Sequence, residues 1–412
     1  MTGRIVVVGG AYGEICHFPR RTMYRGSGGR AAAVLQSLGS EVSWHTVTGP
    51  ELGNEFRSLA QHLGYTLHAS ESDVDIWFNY RHPLGRPDIW PSSIPRHRHA
   101  EAVIADNVLV FGMLEGRPTT HAKRAVYDPQ DGSSAQAYGD NGSTADDLAM
   151  VVSLSEGTAL TGQTEPEAVA SALLSEPATS VAIVKCGPQG ALVQTRSSAE
   201  WIRPFPTERV YKIGSGDVFS AAFAQAWLIW DQAAVEAAWF ASRVAADYVD
   251  SGLDRFTPEL IGDMQAQARF AQMKAGSTAV RPIPEKPVYL AGPFFTAAQQ
   301  WAIDEARAAL QDMGFKVFSP IHDVGEGLPD DVARKDLEGL DRSQVVLALI
   351  DGLDGGTLFE IGYAVARGIP VVAVGESVAP GDLTMLLGTG CHVTDDLTTG
   401  IYAACWKMMG DA

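Results

Sequence analysis

The six apolar residues at 345–350 run without a polar interruption into Asp351, Gly352, Leu353, Asp354, Gly355 and Gly356, and then into helix-forming sequence. An apolar run without alternation describes a strand buried on both faces, as in a parallel sheet covered by helices. Ligands of such sheets collect outside the carboxyl ends of the strands. A turn carrying Asp354, with Glu360 just beyond it, is therefore expected to face a crevice and not the core. The same pattern recurs along the chain. Strands are expected at 5–8, 42–47, 108–111, 125–127, 150–153, 181–186 and 191–194, and after residue 287 at 288–290, 316–319, 345–350 and 370–374. Helices are expected at 30–38, 218–230, 234–249, 297–313 and 360–367. Alternating strands and helices of this kind specify an α/β layer fold.

A chain of 412 residues is too long for one ordinary domain. Residues 276–287 carry Gly276, Ser277, Pro282, Pro284 and Pro287 without apolar periodicity, so they are expected to link a domain at 1–275 to a smaller one at 288–412. The net charge of −18 argues against a nucleic acid polymer as partner, because a phosphate backbone requires a basic face. The first residues read as a core strand rather than a signal peptide, and no apolar stretch approaches the about 20 residues that span a bilayer. Cys16, Cys186, Cys391 and Cys405 are scattered, without the close pairs of a zinc site. Together these features predict a cytoplasmic chain without a structural metal or a membrane partner. The segment 82–99, rich in Pro, Arg and His, is expected to be a solvated loop; its Arg96, His97, Arg98 and His99 would repel a cation.

Paired acids at a strand end suit work on a glycosidic bond: the departing base needs a proton or hydrogen bond, and the oxocarbenium-like centre needs a carboxylate. Read with Tyr289, Leu290, Ala291, Gly292, Pro293 and Phe294 upstream, the stretch resembles the nucleoside 2-deoxyribosyltransferase family over about 287–412. The resemblance implies that Glu360 attacks the anomeric carbon, that Asp354 helps hold the base, that Asp336 protonates or orients it, and that Tyr289 positions the nucleophile. Gly292 falls on the substrate side. Asp341 lies close enough to Asp336 to be an alternative. Glu360 is expected near a helix N-terminus, where the dipole favours the carboxylate. The family completes its pocket with a C-terminal asparagine of a neighbouring subunit, and no asparagine follows the linker here. Related nucleotide N-glycosidases hold a 5′-phosphate with hydroxyls, for which Ser343, Thr384 and Thr389 are candidates.

A second centre is Gly214, Ser215, Gly216 and Asp217, followed by an apolar helix. Glycines at a helix start leave backbone N–H groups free to hold an anion, and Asp217 can accept a hydroxyl proton. The stretch is similar to the Gly-Ala-Gly-Asp signature of ribokinase-like (PfkB) kinases, and the resemblance runs over about 1–275. It implies that Asp217 is the base, that Gly214, Ser215 and Gly216 form the anion hole, that Gly187 and Gly190 make the nucleotide-side turn, and that Gly28 and Gly29 lie on the substrate side. Glu156 would organise magnesium indirectly, with ATP and Mg2+ as cofactors. The chain departs from that pattern at Glu14, where sugar kinases place an aspartate that grips sugar hydroxyls, at Ala33, at Ser153, and at Tyr211, Lys212 and Ile213.

The expected architecture is thus a ribokinase-like α/β/α N-terminal domain joined to a smaller, doubly wound, flavodoxin-like parallel-sheet domain. The expected function is bifunctional: N-glycosidic cleavage or deoxyribosyl transfer in the second domain, and ATP-dependent phosphorylation of a sugar or nucleoside in the first. The other reading is a nucleotide- or NAD-degrading effector, of the kind used in phage defence, whose kinase-like domain only senses a nucleotide. A small-molecule nucleoside or nucleotide is the expected partner. A homo-oligomer is the expected assembly.

Overall fold

The computed structural model describes residues 3–275 and 282–410. Half of the expected linker, 276–281, lies outside the described residues. The described residues divide into two compact units, 3–207 with 211–275 and 208–210 with 282–410.

In the first unit the strands are β1 (Arg4–Val8), β2 (Gly13–Cys16), β3 (Arg21–Tyr24), β4 (Glu41–Thr48), β5 (Thr66–Glu71), β6 (Trp77–Tyr80), β7 (Asp88–Trp90), β8 (Val103–Phe111), β9 (Thr120–Asp128), β10 (Thr144–Ser153), β11 (Thr179–Lys185), β12 (Ala191–Thr195) and β13 (Ala199–Ile202). Nine of them form one sheet in the order β13-β12-β11-β10-β9-β8-β1-β4-β5. Its pairs from β5 to β11 are parallel, and only the β11-β12-β13 edge is antiparallel. Apolar side chains cover both faces. Ile5, Val7, Leu109 and Val151 pack toward helices Gly26–Ser37 and Ser215–Ala224, while Val8, Val110 and Val152 pack on the opposite side. The alternation within each buried strand therefore serves two hydrophobic layers.

A second sheet, β3-β2-β6-β7, was not expected from the sequence. Its strands are three or four residues long and mostly half-exposed, so they lack the apolar run that betrays the central strands. β7 also interrupts the loop expected at 82–99. Gly26, Ser27, Gly28 and Gly29 do not precede their helix but form its first turn. Gly28 has a reason to be there: a Cβ would meet Trp44 Nε1 at 2.2 Å and the Gly9 carbonyl oxygen at 2.5 Å.

In the second unit, β14 (Val288–Ala291), β15 (Val317–Phe318), β16 (Val345–Leu349), β17 (Val371–Val374) and β18 (His392–Thr394) make an all-parallel sheet ordered β15-β14-β16-β17-β18. This is the flavodoxin-like order 2-1-3-4-5, and its switch point lies between β14 and β16. Helix Ala297–Asp312 buries Ile303, Ala306 and Leu310, as its periodicity predicts. The helix expected at 360–367 instead spans Gly355–Ala366 and starts immediately after the turn. Among the described residues no helix is long and apolar enough to cross a membrane.

Candidate functional sites

The acids of the second unit converge at the switch point. β14 carries Tyr289, fully buried and stacked on Phe318 of β15. After β16 the chain turns through Gly352 and Leu353, both with left-handed backbones (φ 86° and 50°), and this reversal starts the next helix at the strand end. Leu353 has a side chain that makes the left-handed region costly, so the turn is held by its surroundings. Asp354 is the N-cap: its Oδ2 accepts from the Thr357 backbone N–H at 2.8 Å and from Thr357 Oγ1 at 3.0 Å. Glu360 follows six residues later, one full turn and more into the helix.

The Tyr289 hydroxyl donates to Glu360 Oε1 at 2.6 Å. Burial pushes the Glu360 carboxyl up to about 7; the tyrosine hydrogen bond pulls it down, and the charges of Asp336 and Asp354 add to the rise. This corrects the expectation that a helix dipole keeps Glu360 anionic. The dipole effect fades within the first turn, and Glu360 lies beyond it. Burial together with Glu360 and Asp336 also raises the Tyr289 phenol strongly, so Tyr289 remains a donor.

Asp336 projects from helix Pro329–Arg342, half-buried, with its carboxyl pushed upward by burial. Its Oδ1 is buried without a hydrogen-bond partner, and its charge acts on both Tyr289 and Glu360. Asp341 is engaged elsewhere: Arg367 Nε donates to it at 2.9 Å, and it also accepts from the Tyr363 hydroxyl. Gly292 packs against Ile303, whose Cδ1 would lie 2.8 Å from an added Cβ. The hydroxyls of Ser343, Thr384 and Thr389 all donate to backbone carbonyls of their own segments, to Gly339, Gly381 and Met385 respectively.

The first unit gathers its charged residues around helix Ser215–Ala224. Gly214 caps this helix with a left-handed backbone (φ 80°). Asp217 lies in the first helical turn and is buried. Its Oδ2 accepts from Arg30 Nη1 at 2.6 Å, and its Oδ1 accepts from Gln130 Nε2. Arg30 Nη2 is paired with Glu14, whose other oxygen accepts from the Gly26 backbone N–H at 3.1 Å. Neither Arg30 nor Gln130 was singled out from the sequence. Arg30 directly follows Gly29, but nothing in its neighbours reveals that it will face two carboxylates brought from residues 14 and 217.

Two lysines complete this region. Lys185, at the end of β11, donates to Asp128 Oδ2 at 2.7 Å, and Ser220 Oγ donates to the same oxygen at 2.7 Å. Burial raises the Asp128 carboxyl to about 6 even so, and its Oδ1 is buried without a partner. Lys212 Nζ donates to Ser215 Oγ at 2.8 Å; burial and the neighbouring Lys185 charge lower Lys212 to about 8. Lys185 Nζ would lie 3.4 Å from a Cβ added at Gly216. Gly187 and Gly190 bracket the tight turn between β11 and β12. Glu156 is the third residue of a capping box: its Oε2 accepts from the Ser153 N–H at 2.6 Å, and Ser153 Oγ accepts from the Glu156 N–H at 3.2 Å. Among the described residues no group of three or more His, Cys, Asp and Glu side chains is placed to hold a metal.

The order of the two sheets and these sites define two α/β units of ribokinase-like and flavodoxin-like fold. The model of the pfkB family of carbohydrate kinases matches residues 125–257, and that of the nucleoside 2-deoxyribosyltransferases matches 288–396. The chain thus joins a PfkB-like part to a nucleoside 2-deoxyribosyltransferase-like part, both resembling enzymes of sugar or nucleoside processing. No curated protein matches it significantly. Similar solved structures include phosphofructokinase-2 from Escherichia coli in complex with potassium, at 15% identity and TM-score 0.49, covering 65% of this chain and 100% of that one. Another is a pyrophosphate-dependent kinase in the ribokinase family complexed with a pyrophosphate analog and myo-inositol, at 15% identity and TM-score 0.47, covering 64% and 99%. A PfkB protein from Polaromonas matches at 16% identity and TM-score 0.45, covering 64% and 100%.

Proposed function

We propose that the 288–412 domain breaks the N-glycosidic bond of a nucleoside or nucleotide, with Glu360 as nucleophile. The observation that carries this reading is the 2.6 Å hydrogen bond from Tyr289 to Glu360, in a site where Asp336 and Asp354 supply further carboxyls and no cation is paired with Glu360 in the described hydrogen bonds and ion pairs. The ionised Glu360 attacks the anomeric carbon, the C–N bond breaks with its electron pair going to the base, and the base takes a proton from Asp336, whose carboxyl burial holds toward the protonated form. Asp354 keeps one oxygen for its helix cap and has the other for the base. Water releases the sugar from the ester, or a second base takes it. Mass spectrometry after incubation with a 2-fluoro-2-deoxynucleoside tests this. The expected sugar adduct lies on the peptide containing Glu360, and an adduct on another residue overturns the mechanism.

For the 1–275 domain, the PfkB resemblance supports ATP-dependent phosphorylation of a sugar or nucleoside, with Asp217 as base. The nucleotide phosphates would be held by Lys185, Lys212 and the N–H groups of Gly214 and Gly216, the Ser215 N–H being donated to the Lys212 carbonyl at 3.1 Å, and Glu156 would organise magnesium indirectly. On this reading ATP bound there would supply the phosphoryl group. One observation favours the second reading, a domain that binds a nucleotide without consuming it: Asp217 is already paired with Arg30. We place the protein in the cytoplasm. A homo-oligomer is supported by the exposed apolar side chains Phe359, Met385 and Leu387 of the second unit. Light scattering that shows only monomer at micromolar concentration excludes this assembly.

A further inference from the structure

The acceptor side of the first unit contains a guanidinium. Arg30 is 1% exposed, and its two terminal nitrogens are divided between Asp217 and Glu14. The second oxygen of Asp217 accepts from Gln130, a residue held in a left-handed backbone (φ 53°) two positions beyond the end of β9. Both oxygens of Asp217 therefore accept hydrogen bonds from the protein itself. Gly214 closes the guanidinium in from the helix start, where a Cβ would lie 2.2 Å from Arg30 Cζ. The Tyr248 ring stands 5.9 Å from that carbon, and its hydroxyl donates to the Ile213 carbonyl at 2.7 Å.

We propose that Arg30 occupies the position of an acceptor hydroxyl at Asp217, so that the first unit binds a nucleotide but does not pass its phosphoryl group to a neutral sugar or nucleoside. This inference rests on the kinase-like reading of the unit. A general base must come within about 2.6–3.2 Å of the hydroxyl it deprotonates. Arg30 and Gln130 each fill one direction of approach to Asp217, one on each oxygen, so an acceptor hydroxyl must come in beside a fixed guanidinium or displace it. Departure of Arg30 would separate a buried cation from two buried carboxylates, an arrangement that low dielectric penalises heavily. An anionic acceptor offers no way around this, because Glu14, Arg30 and Asp217 together already carry one net negative charge. The lysines, by contrast, lie on the side of Gly216, Lys185 paired with Asp128 and Lys212 bonded to Ser215 Oγ.

The test uses the full chain. ATP with magnesium is titrated first by calorimetry; absence of binding overturns the nucleotide reading, and the proposal falls with it for a distinguishable reason. ADP formation is then measured with a panel of pentoses and nucleosides, while the Arg30 guanidinium resonance, assigned by its loss in Arg30→Lys, is followed by NMR. The expected result is bound ATP, no acceptor-dependent ADP and an unmoved resonance. The double variant Glu14→Gln/Arg30→Gln keeps the net charge of the cluster and clears the acceptor position. It is expected to raise acceptor-dependent ADP at least tenfold: the acceptor oxygen bonds to the γ-phosphorus, the bridging P–O bond breaks onto ADP, and the proton goes to Asp217. ADP formed by the unmodified protein with a neutral acceptor overturns the proposal. So does a folded, ATP-binding double variant no faster than the unmodified chain. If the double variant does not fold, the unmodified chain decides.

Discussion

The two acidic sites of this chain hold similar carboxylates in opposite states. In the second unit, Glu360 is half-buried near Asp336 and Asp354, its one described hydrogen bond comes from a neutral phenol, and its carboxyl is pushed up to about 7 by desolvation. In the first, Glu14 and Asp217 are more fully buried and share a guanidinium. Burial alone makes a carboxylate reactive or costly; a buried cation makes it structural. The difference teaches that the identity of the partner, and not the acid, decides whether a carboxylate stands beside a neutral donor or is held in an ion pair.

The sharpest way to break this comparison is to remove each acid's role in turn. Glu360→Ala should lower base release by at least about three orders of magnitude, as loss of a nucleophile does. Its circular dichroism should be unchanged, because a crevice carboxylate adds little to the core. Normal release, followed by chromatography of the free base, would return Glu360 to the status of a structural acid.

Arg30→Met tests the opposite site. It leaves Glu14 and Asp217 buried without their cation, and the first unit should lose about 3–5 kcal/mol in denaturant unfolding. Base release at the second site should persist wherever that unit remains folded. A loss under about 1 kcal/mol would show that the guanidinium is not the strut described here.

The pH dependence sharpens the contrast. The folded Glu360 carboxyl titrates near 7 and its ordinary value is 4.5, so the folded state retains a proton that the unfolded state has lost across that window. Stability of the second unit should therefore fall as pH rises from about 4.5 to 7, by about 3 kcal/mol at most, while kcat/KM for base release rises through 7 as the nucleophile ionises. Glu360→Gln should flatten most of the stability slope, leaving the smaller part that the raised Asp336 carboxyl contributes. Tyr289→Phe removes a hydrogen bond that favours the ionised form, so the midpoint of the activity profile should move up by about one to two pH units. A midpoint that stays put or moves down would mean that Tyr289 does not tune this carboxylate.

Asp354→Ala should have the smallest effect. It loses the cap to Thr357, worth about 1 kcal/mol in thermal unfolding, and slows base departure without abolishing it, because water replaces one hydrogen bond. Complete loss of turnover in a stable variant would promote Asp354 to an essential proton donor.

The residues themselves determined much of this molecule. The apolar run at 345–350 and its glycine turn specified a buried parallel strand ending in acids, and the family patterns around Glu360 and Asp217 pointed to both centres. Local sequence could not place the helix start at Gly355, because the cap depends on how Gly352 and Leu353 reverse the chain. It could not reveal the small second sheet, whose short, half-exposed strands become strands only by pairing with distant neighbours. Least of all could it show Arg30 between Glu14 and Asp217, residues 16 and 187 positions away along the chain. Patterns of burial are written locally because the apolar period of a strand or helix is local. The partner of a buried charge is chosen by the tertiary fold, and with it whether a carboxylate reacts or holds the structure together.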